Sequence, residues 1–168
     1  MDSMLINVLL MFALTVAAIH DAKYRKIPNI ITYSVIIVAL ACHAWQSGFG
    51  GFLFSLQGTL LGMALLILFY LTGKMGAGDV KLMGAVGSVL GPAGVFKAFL
   101  FAAIVGGIYA IIILMTRGHV LDTIRRMWLS LKLTVLTHRP IAPDEGSASP
   151  VLCYGIAIAI GTSLSMVF

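Results

Sequence analysis

The chain consists of long apolar stretches separated by short polar or glycine-rich breaks. Six stretches have about the length that a helix needs to cross a hydrocarbon core about 30 Å thick. They cover residues 4–20, 30–45, 52–72, 80–96, 98–116 and 151–166. The breaks between them contain residues that end helices, such as Pro28 and Gly48, and Gly91-Pro92 lies near the end of the fourth stretch. The pattern predicts six transmembrane helices.

A further helix of a different kind is predicted over residues 119–137. Apolar residues recur there every three or four positions, and basic residues fall between them. With cationic side chains and Trp128, this pattern is typical of a helix that lies in the cytoplasmic membrane interface. A solvated connector is the alternative. Residues 140–150 contain prolines, serines and acidic residues, which predicts a flexible linker into the last span.

The composition supports a membrane protein, since 60% of the residues are hydrophobic and only 10% are charged. In soluble domains, about a quarter of all residues are charged. The spans leave no room for a second domain, so residues 1–168 are expected to form one unit. The predicted fold class is therefore all-α: a polytopic membrane protein with about six transmembrane helices and one cytoplasmic interfacial amphipathic helix.

The basic residues are distributed unevenly between the two sides of this topology. Ten of the eleven lysines and arginines lie in or beside the connections that follow the first, third and fifth spans. These are Lys23, Arg25, Lys26, Lys74, Lys81, Arg117, Arg125, Arg126, Lys132 and Arg139. The positive-inside rule places these connections in the cytoplasm and both chain ends outside it. The net charge of +5 thus reflects topology, and no nucleic-acid partner is predicted.

Two acidic residues stand next to hydrocarbon, where a carboxylate is costly unless it is paired or hydrated. Asp21 ends the first predicted span and Asp79 begins the fourth, and the two intervening spans return the chain to the same side. We therefore expect both carboxyl groups at one depth near the cytoplasmic surface. Two adjacent carboxylates share one proton, which leaves one as general base and the other as general acid around a water molecule. This is what peptide hydrolysis without a covalent intermediate requires.

Each aspartate also has a simpler interpretation. Asp79 could be a helix N-cap, although Leu82 stands where a capping box has Glu or Gln. Asp21 could form a surface ion pair with Arg25, one helical turn later. Lys81 is expected either to anchor the helix in the interface or to tune the charge of Asp79.

Other chemistry is weakly represented. The two cysteines, Cys42 and Cys153, lie inside apolar runs, as small buried hydrophobes do. The four histidines are isolated, and neither a His-x-x-x-His nor a Cys-x-x-Cys pair is present. We therefore predict neither a metal nor a cofactor, although His20 could tune the proton affinity of Asp21.

Three motifs together resemble the type IV prepilin peptidases and their archaeal preflagellin relatives, which are Gly-x-Gly-Asp aspartic endopeptidases. The first is His20-Asp21 followed by Ile27-Pro28-Asn29, and the second is the run from Gly76 to Leu82 after the third span. The third, Ser149-Pro150-Val151, opens the last span, with Val151 where the family has an aromatic residue. The resemblance extends over the whole six-span plan.

The resemblance implies an endopeptidase that cleaves the basic leader from prepilins or pseudopilins at the cytoplasmic face of the bacterial inner membrane. Asp21 and Asp79 correspond to the catalytic aspartates. A second set of residues is expected to support the site or contact the substrate: Pro28, Asn29, Gly76, Gly78 and Lys81. In particular, the two glycines would let a substrate backbone approach Asp79. The expected partners are the substrate and membrane lipids.

The connection from Arg25 to Ile30 is too short for the cysteine-containing insertion of the larger, bifunctional family members. The chain therefore resembles the peptidase-only form associated with tight-adherence (Flp-type) pili, and no methyltransferase activity is expected. The sequence specifies neither the pilin substrate nor the oligomeric state.

Two other functional classes stay open. A non-enzymatic transporter or pilus-assembly component would use the carboxylates to handle protons or cations, but such roles place the acid near mid-membrane. A presenilin-like protease would share the Gly-x-Gly-Asp motif but cut within the bilayer core. The position of the scissile bond in a product separates these classes.

Overall fold

The computed structural model describes residues 3–71, 75–116 and 154–167. Within these ranges the chain forms four helices: α1 (Ser3–Tyr24), α2 (Asn29–Leu71), α3 (Ala77–Thr116) and α4 (Tyr154–Val167). The described ranges contain no strand, so the all-α prediction is confirmed. The predicted interfacial helix at 119–137 and the linker at 140–150 lie outside the described residues.

Helix α2 doubles back on itself at Ser47 and Gly48, where the backbone leaves the helical region. Gly48 has a φ of 59°, a left-handed conformation that glycine adopts without steric cost. The rings of His43 and Phe54 are 5.3 Å apart. Eleven residues of continuous helix would separate them by about 16 Å. Helix α2 is therefore a helical hairpin with a first arm at 29–46 and a second arm at 49–71.

Helix α3 reverses in the same way at Gly91, which has a φ of 70° and precedes Pro92. Met83 and Val95 both lie against Gly62, although a continuous helix would separate them by about 18 Å. The first arm of α3 is therefore 77–90 and the second is 92–116. The predicted boundary near residue 97 is wrong, because the turn requires the left-handed Gly91 and a proline that lacks a backbone donor.

Small residues bring the second arm of α2 against the first arm of α3. Gly58 and Gly87 face each other so closely that a Cβ on either would overlap the backbone carbonyl of the other. The Ser55 hydroxyl donates to the carbonyl of Ser88 at 2.7 Å, and both side chains are fully buried. Backbones this close allow dispersion contacts and hydrogen bonds to hold helices together where lipid supplies no hydrophobic driving force.

Helix α1 packs against α2 and α4, and Gly161 of α4 lies on the backbone of Ala102 in α3. Together these helices enclose a buried core that includes Leu14, Leu66 and Met83. The end of α3, residues 107–116, falls outside this compact unit. The outward-facing side chains are large and apolar, as a lipid solvent requires.

Three helices in the described residues are long and apolar enough to cross a membrane. They correspond to Met4–Tyr24, Asn29–Leu71 and Ala77–Ile113, and α4 is a shorter apolar helix of 14 residues. The first two predicted spans begin within a residue of α1 and of α2. The last predicted span, 151–166, overlaps α4 (Tyr154–Val167).

The close approach of Gly58 and Gly87 is testable by Gly87→Ala. The added methyl group would meet the backbone of Gly58, so the helices must separate, and we expect a loss of about 1–3 kcal/mol in the free energy of unfolding. Thermal melting in detergent measures the change. Gly107→Ala is the matched control, because a Cβ there meets nothing within 4 Å. Equal melting temperatures for the two variants would contradict the predicted clash.

Candidate active site

The first site residue, Asp21, lies in the last turn of α1 and is only 7% exposed. The helix ends because Arg25 adopts a left-handed φ of 53°, and its backbone N–H donates to the Asp21 carbonyl at 2.8 Å. The Nδ1–H of His20 donates to the carbonyl of Lys26 at 2.6 Å, which holds the following loop against the helix end. Pro28 then separates this loop from α2, because the residue before a proline avoids the helical conformation.

The second site residue, Asp79, lies in the first turn of α3 and is 8% exposed. The helix starts two residues earlier, so the N-cap position belongs to Gly76 and not to Asp79. The backbone N–H of Asp79 donates to the Gly76 carbonyl at 3.1 Å. The Gly76 backbone also lies beside the Asp79 carboxylate. Its Oδ1 is buried and has no hydrogen-bond partner among the described residues.

The end of α1 and the start of α3 bring the two carboxyl groups together. They are close enough for their charges to interact directly, as the topological argument from sequence expects. Both belong to the same compact unit, and both are more than nine-tenths buried. Such a pair can hold one proton between its members and polarise a water molecule placed between them.

Helix α4 forms a third side of the site, which sequence reasoning did not identify. The backbone N–H of Gly155 donates to Oδ2 of Asp21 at 3.1 Å. A Cβ at position 155 would come within 2.8 Å of the same oxygen, so the contact needs glycine. Tyr154 is near enough to Asp79 for an electrostatic interaction, and its ring packs on Gly106.

The sequence held only a weak signal for these two residues. They follow the Ser149-Pro150-Val151 motif by a few positions, but the hydrogen bond joins residues 134 positions apart and uses a backbone group. Because every non-proline residue carries a backbone N–H, residue type does not reveal this donor.

The motif glycines have different surroundings. A Cβ on Gly76 would lie 3.4 Å from Oδ2 of Asp79, so that glycine borders the carboxylate directly. A Cβ on Gly78 would lie 3.1 Å from the Cβ of Ile27, so this glycine makes room for the loop between α1 and α2. That both glycines let a substrate approach therefore stays a prediction, and at Gly78 the chain's own loop lies against the position that a side chain would take.

The remaining predicted residues join the starts of α2 and α3. The ammonium group of Lys81 donates to Oδ1 of Asn29 at 3.0 Å. The same nitrogen lies 5.2 Å from the centre of the Tyr33 ring, a distance at which a cation and an aromatic face attract each other. Pro28 precedes the first residue of α2 and accepts a hydrogen bond from the N–H of Ile31 at 3.2 Å. These contacts position the loop beside Asp79.

Metal-binding side chains do not cluster in the part of the chain that the structure describes. No group of three His, Cys, Asp or Glu residues there could hold an ion. Cys42 is a free, partly buried thiol, and Cys153 lies outside the described ranges.

Residues 8–111 match the model of the type IV leader peptidase family. The matched segment contains Asp21 and Asp79 and ends before α4. No curated protein and no solved structure matches the chain. Because the family match covers more than half of the 168 residues, the chain belongs to the type IV leader peptidase family.

Proposed function

We propose that this protein is an aspartic endopeptidase that cleaves the leader from Flp-type prepilins, with Asp21 and Asp79 as its catalytic pair. Membership of the family supports a leader peptidase that acts on prepilins. The observation that carries the aspartic mechanism is the pair of buried, mutually interacting carboxyl groups at the junction of α1 and α3. Carboxylates are not buried in this way without a chemical or structural compensation.

In the proposed reaction the pair holds one proton and one water molecule. The ionised carboxylate takes a proton from the water as its oxygen bonds to the scissile carbonyl carbon, while the protonated carboxyl group gives its proton to the carbonyl oxygen. The resulting diol then returns one proton to the second carboxylate. The first carboxyl group protonates the leaving amine as the C–N bond breaks. The products are a free amine and a carboxylic acid, and the pair regains its single proton.

The connection between α1 and α2 supports the peptidase-only form. Helix α1 ends at Tyr24 and α2 begins at Asn29, so only residues 25–28 join them. This leaves no space for the insertion that accompanies methyltransferase activity in the larger family members. We infer cleavage without methylation of the new N-terminus.

We also propose that the arms of α2 and α3, together with α1 and α4, provide six membrane spans in the bacterial inner membrane. The two hairpin turns, at Ser47–Gly48 and Gly91, would then face away from the cytoplasm. The carboxylate pair would lie at the cytoplasmic end, where Lys23, Lys26 and Lys81 are near it in the chain. Basic residues at this end agree with the positive-inside rule.

The aspartic mechanism is tested by Asp21→Asn and Asp79→Asn, each co-expressed with candidate small pilins. Asparagine keeps the side-chain shape but cannot exchange a proton, so we expect leader removal to fall by at least about a thousandfold in each variant. Mass spectrometry of the pilin measures processing. Asp122→Asn, the same substitution on the predicted interfacial helix, is the control and should process normally. Wild-type cleavage by either site variant would favour the transporter interpretation.

The methyltransferase prediction needs cells whose other prepilin peptidases are deleted. Pilin processed there by this protein alone should have the mass of the mature chain with an unmodified N-terminal amine. An additional methyl group on that amine, dependent on this protein, would overturn the peptidase-only proposal.

The six-span topology is tested by single cysteines in a background without Cys42 and Cys153. Ser47→Cys lies at the turn of α2, and Tyr24→Cys replaces an exposed residue at the end of α1. A membrane-impermeant thiol reagent added to spheroplasts should label position 47 and leave position 24 unlabelled until the membrane is opened. Labelling of both positions from outside would refute the topology.

A further inference from the structure

The two carboxylates of the site have unequal surroundings. Oδ2 of Asp21 accepts the backbone N–H of Gly155, which lies in the first turn of α4. The donors at a helix start are unsatisfied within the helix and carry a partial positive charge, so they stabilise an ionised acceptor. Asp21 thus receives a donor from another helix, directed at one of its oxygens.

Asp79 has a mixed environment. It lies in the first turn of α3, where the helix field favours a negative charge. However, its Oδ1 is buried without a hydrogen-bond partner among the described residues. A buried carboxylate oxygen without a donor is unfavourable, whereas a protonated oxygen can itself donate to a neighbouring acceptor.

The helix fields alone would favour charge on Asp79 and a proton on Asp21, because Asp21 lies at the end of α1 and Asp79 at the start of α3. A direct hydrogen bond to an ionised group is stronger than the field of an exposed helix end. The Gly155 contact and the unpartnered oxygen therefore outweigh the field, and both favour charge on Asp21 and a proton on Asp79.

We propose that Gly155 is a positioning residue of the carboxylate pair, whose backbone N–H fixes Asp21 as the ionised general base and leaves Asp79 as the protonated general acid. This inference rests on the proposed aspartic mechanism. In the first step, Asp21 takes the proton from water and Oδ1 of Asp79 gives its proton to the substrate carbonyl oxygen. When the diol collapses, Asp79 regains a proton from a diol hydroxyl and Asp21 protonates the amine, so the starting state returns.

The positioning role is tested by Gly155→Ala in the purified full-length protein, with a prepilin that the wild type cleaves. The added Cβ would lie 2.8 Å from Oδ2 and 3.2 Å from the Cγ of Asp21, so it must move the carboxylate. We expect kcat to fall about 10- to 100-fold while KM changes less than about threefold, because orientation in the transition state is lost and substrate binding is not.

Gly107→Ala is the matched control and should leave both parameters within about twofold, since its Cβ would meet nothing within 4 Å. A kcat for Gly155→Ala within about twofold of the wild type would overturn the positioning role.

The proton assignment is tested without substrate, by the infrared C=O stretch of a protonated carboxyl group near neutral pH. The spectrum of the wild type should contain this C=O band. Comparison with the variants should show that the band is lost in Asp79→Asn and retained in Asp21→Asn. Any other pattern would overturn the assignment, and this measurement does not depend on whether Gly155→Ala folds. Failure of the aspartic mechanism is a separate outcome, since it would appear as cleavage by the two Asn variants and not in the infrared spectra.

Discussion

The structure depends on the burial of two carboxyl groups at one end of an apolar helical bundle. Removing a carboxylate from water is costly, and in lipid no solvent donor replaces the lost hydration. The compensation comes from helix starts, because Asp79 lies in the first turn of α3 and the backbone N–H of Gly155, in the first turn of α4, donates to Asp21. The small size of Gly155 follows from this constraint, since a side chain there would collide with Asp21.

The same site requires that residues far apart in the chain reach one end of the bundle. Asp21 and Asp79 meet because the intervening α2 is a hairpin, which returns the chain to the level from which it started. Its left-handed Gly48 makes the turn, and the paired Gly58 and Gly87 let its second arm approach α3 closely. Glycine therefore acts at three levels here: in the turns, between the helices and beside the carboxylates.

Much of this architecture was accessible from the sequence. Apolar runs and glycine breaks predicted α1, α2 with its turn, and α4, and the cost of acids near hydrocarbon singled out Asp21 and Asp79. The turn of α3 was misplaced toward Lys97, because the apolar pattern continues past Gly91 and only the backbone conformation marks the reversal. The packing of Gly78 against Ile27 could not be predicted either, because the sequence does not give the path of the loop that carries Ile27.

The contribution of α4 was hidden from sequence for a more general reason. Gly155 of α4 contributes a backbone N–H to Asp21 and leaves room for the carboxylate because it has no side chain. A backbone N–H is present in every residue except proline, so the sequence does not mark this donor. A helix that acts through its backbone needs the correct position and clearance, so the identity of the residues before it is less constrained. The family match likewise ends at residue 111, although the bundle carries the site's third side on α4.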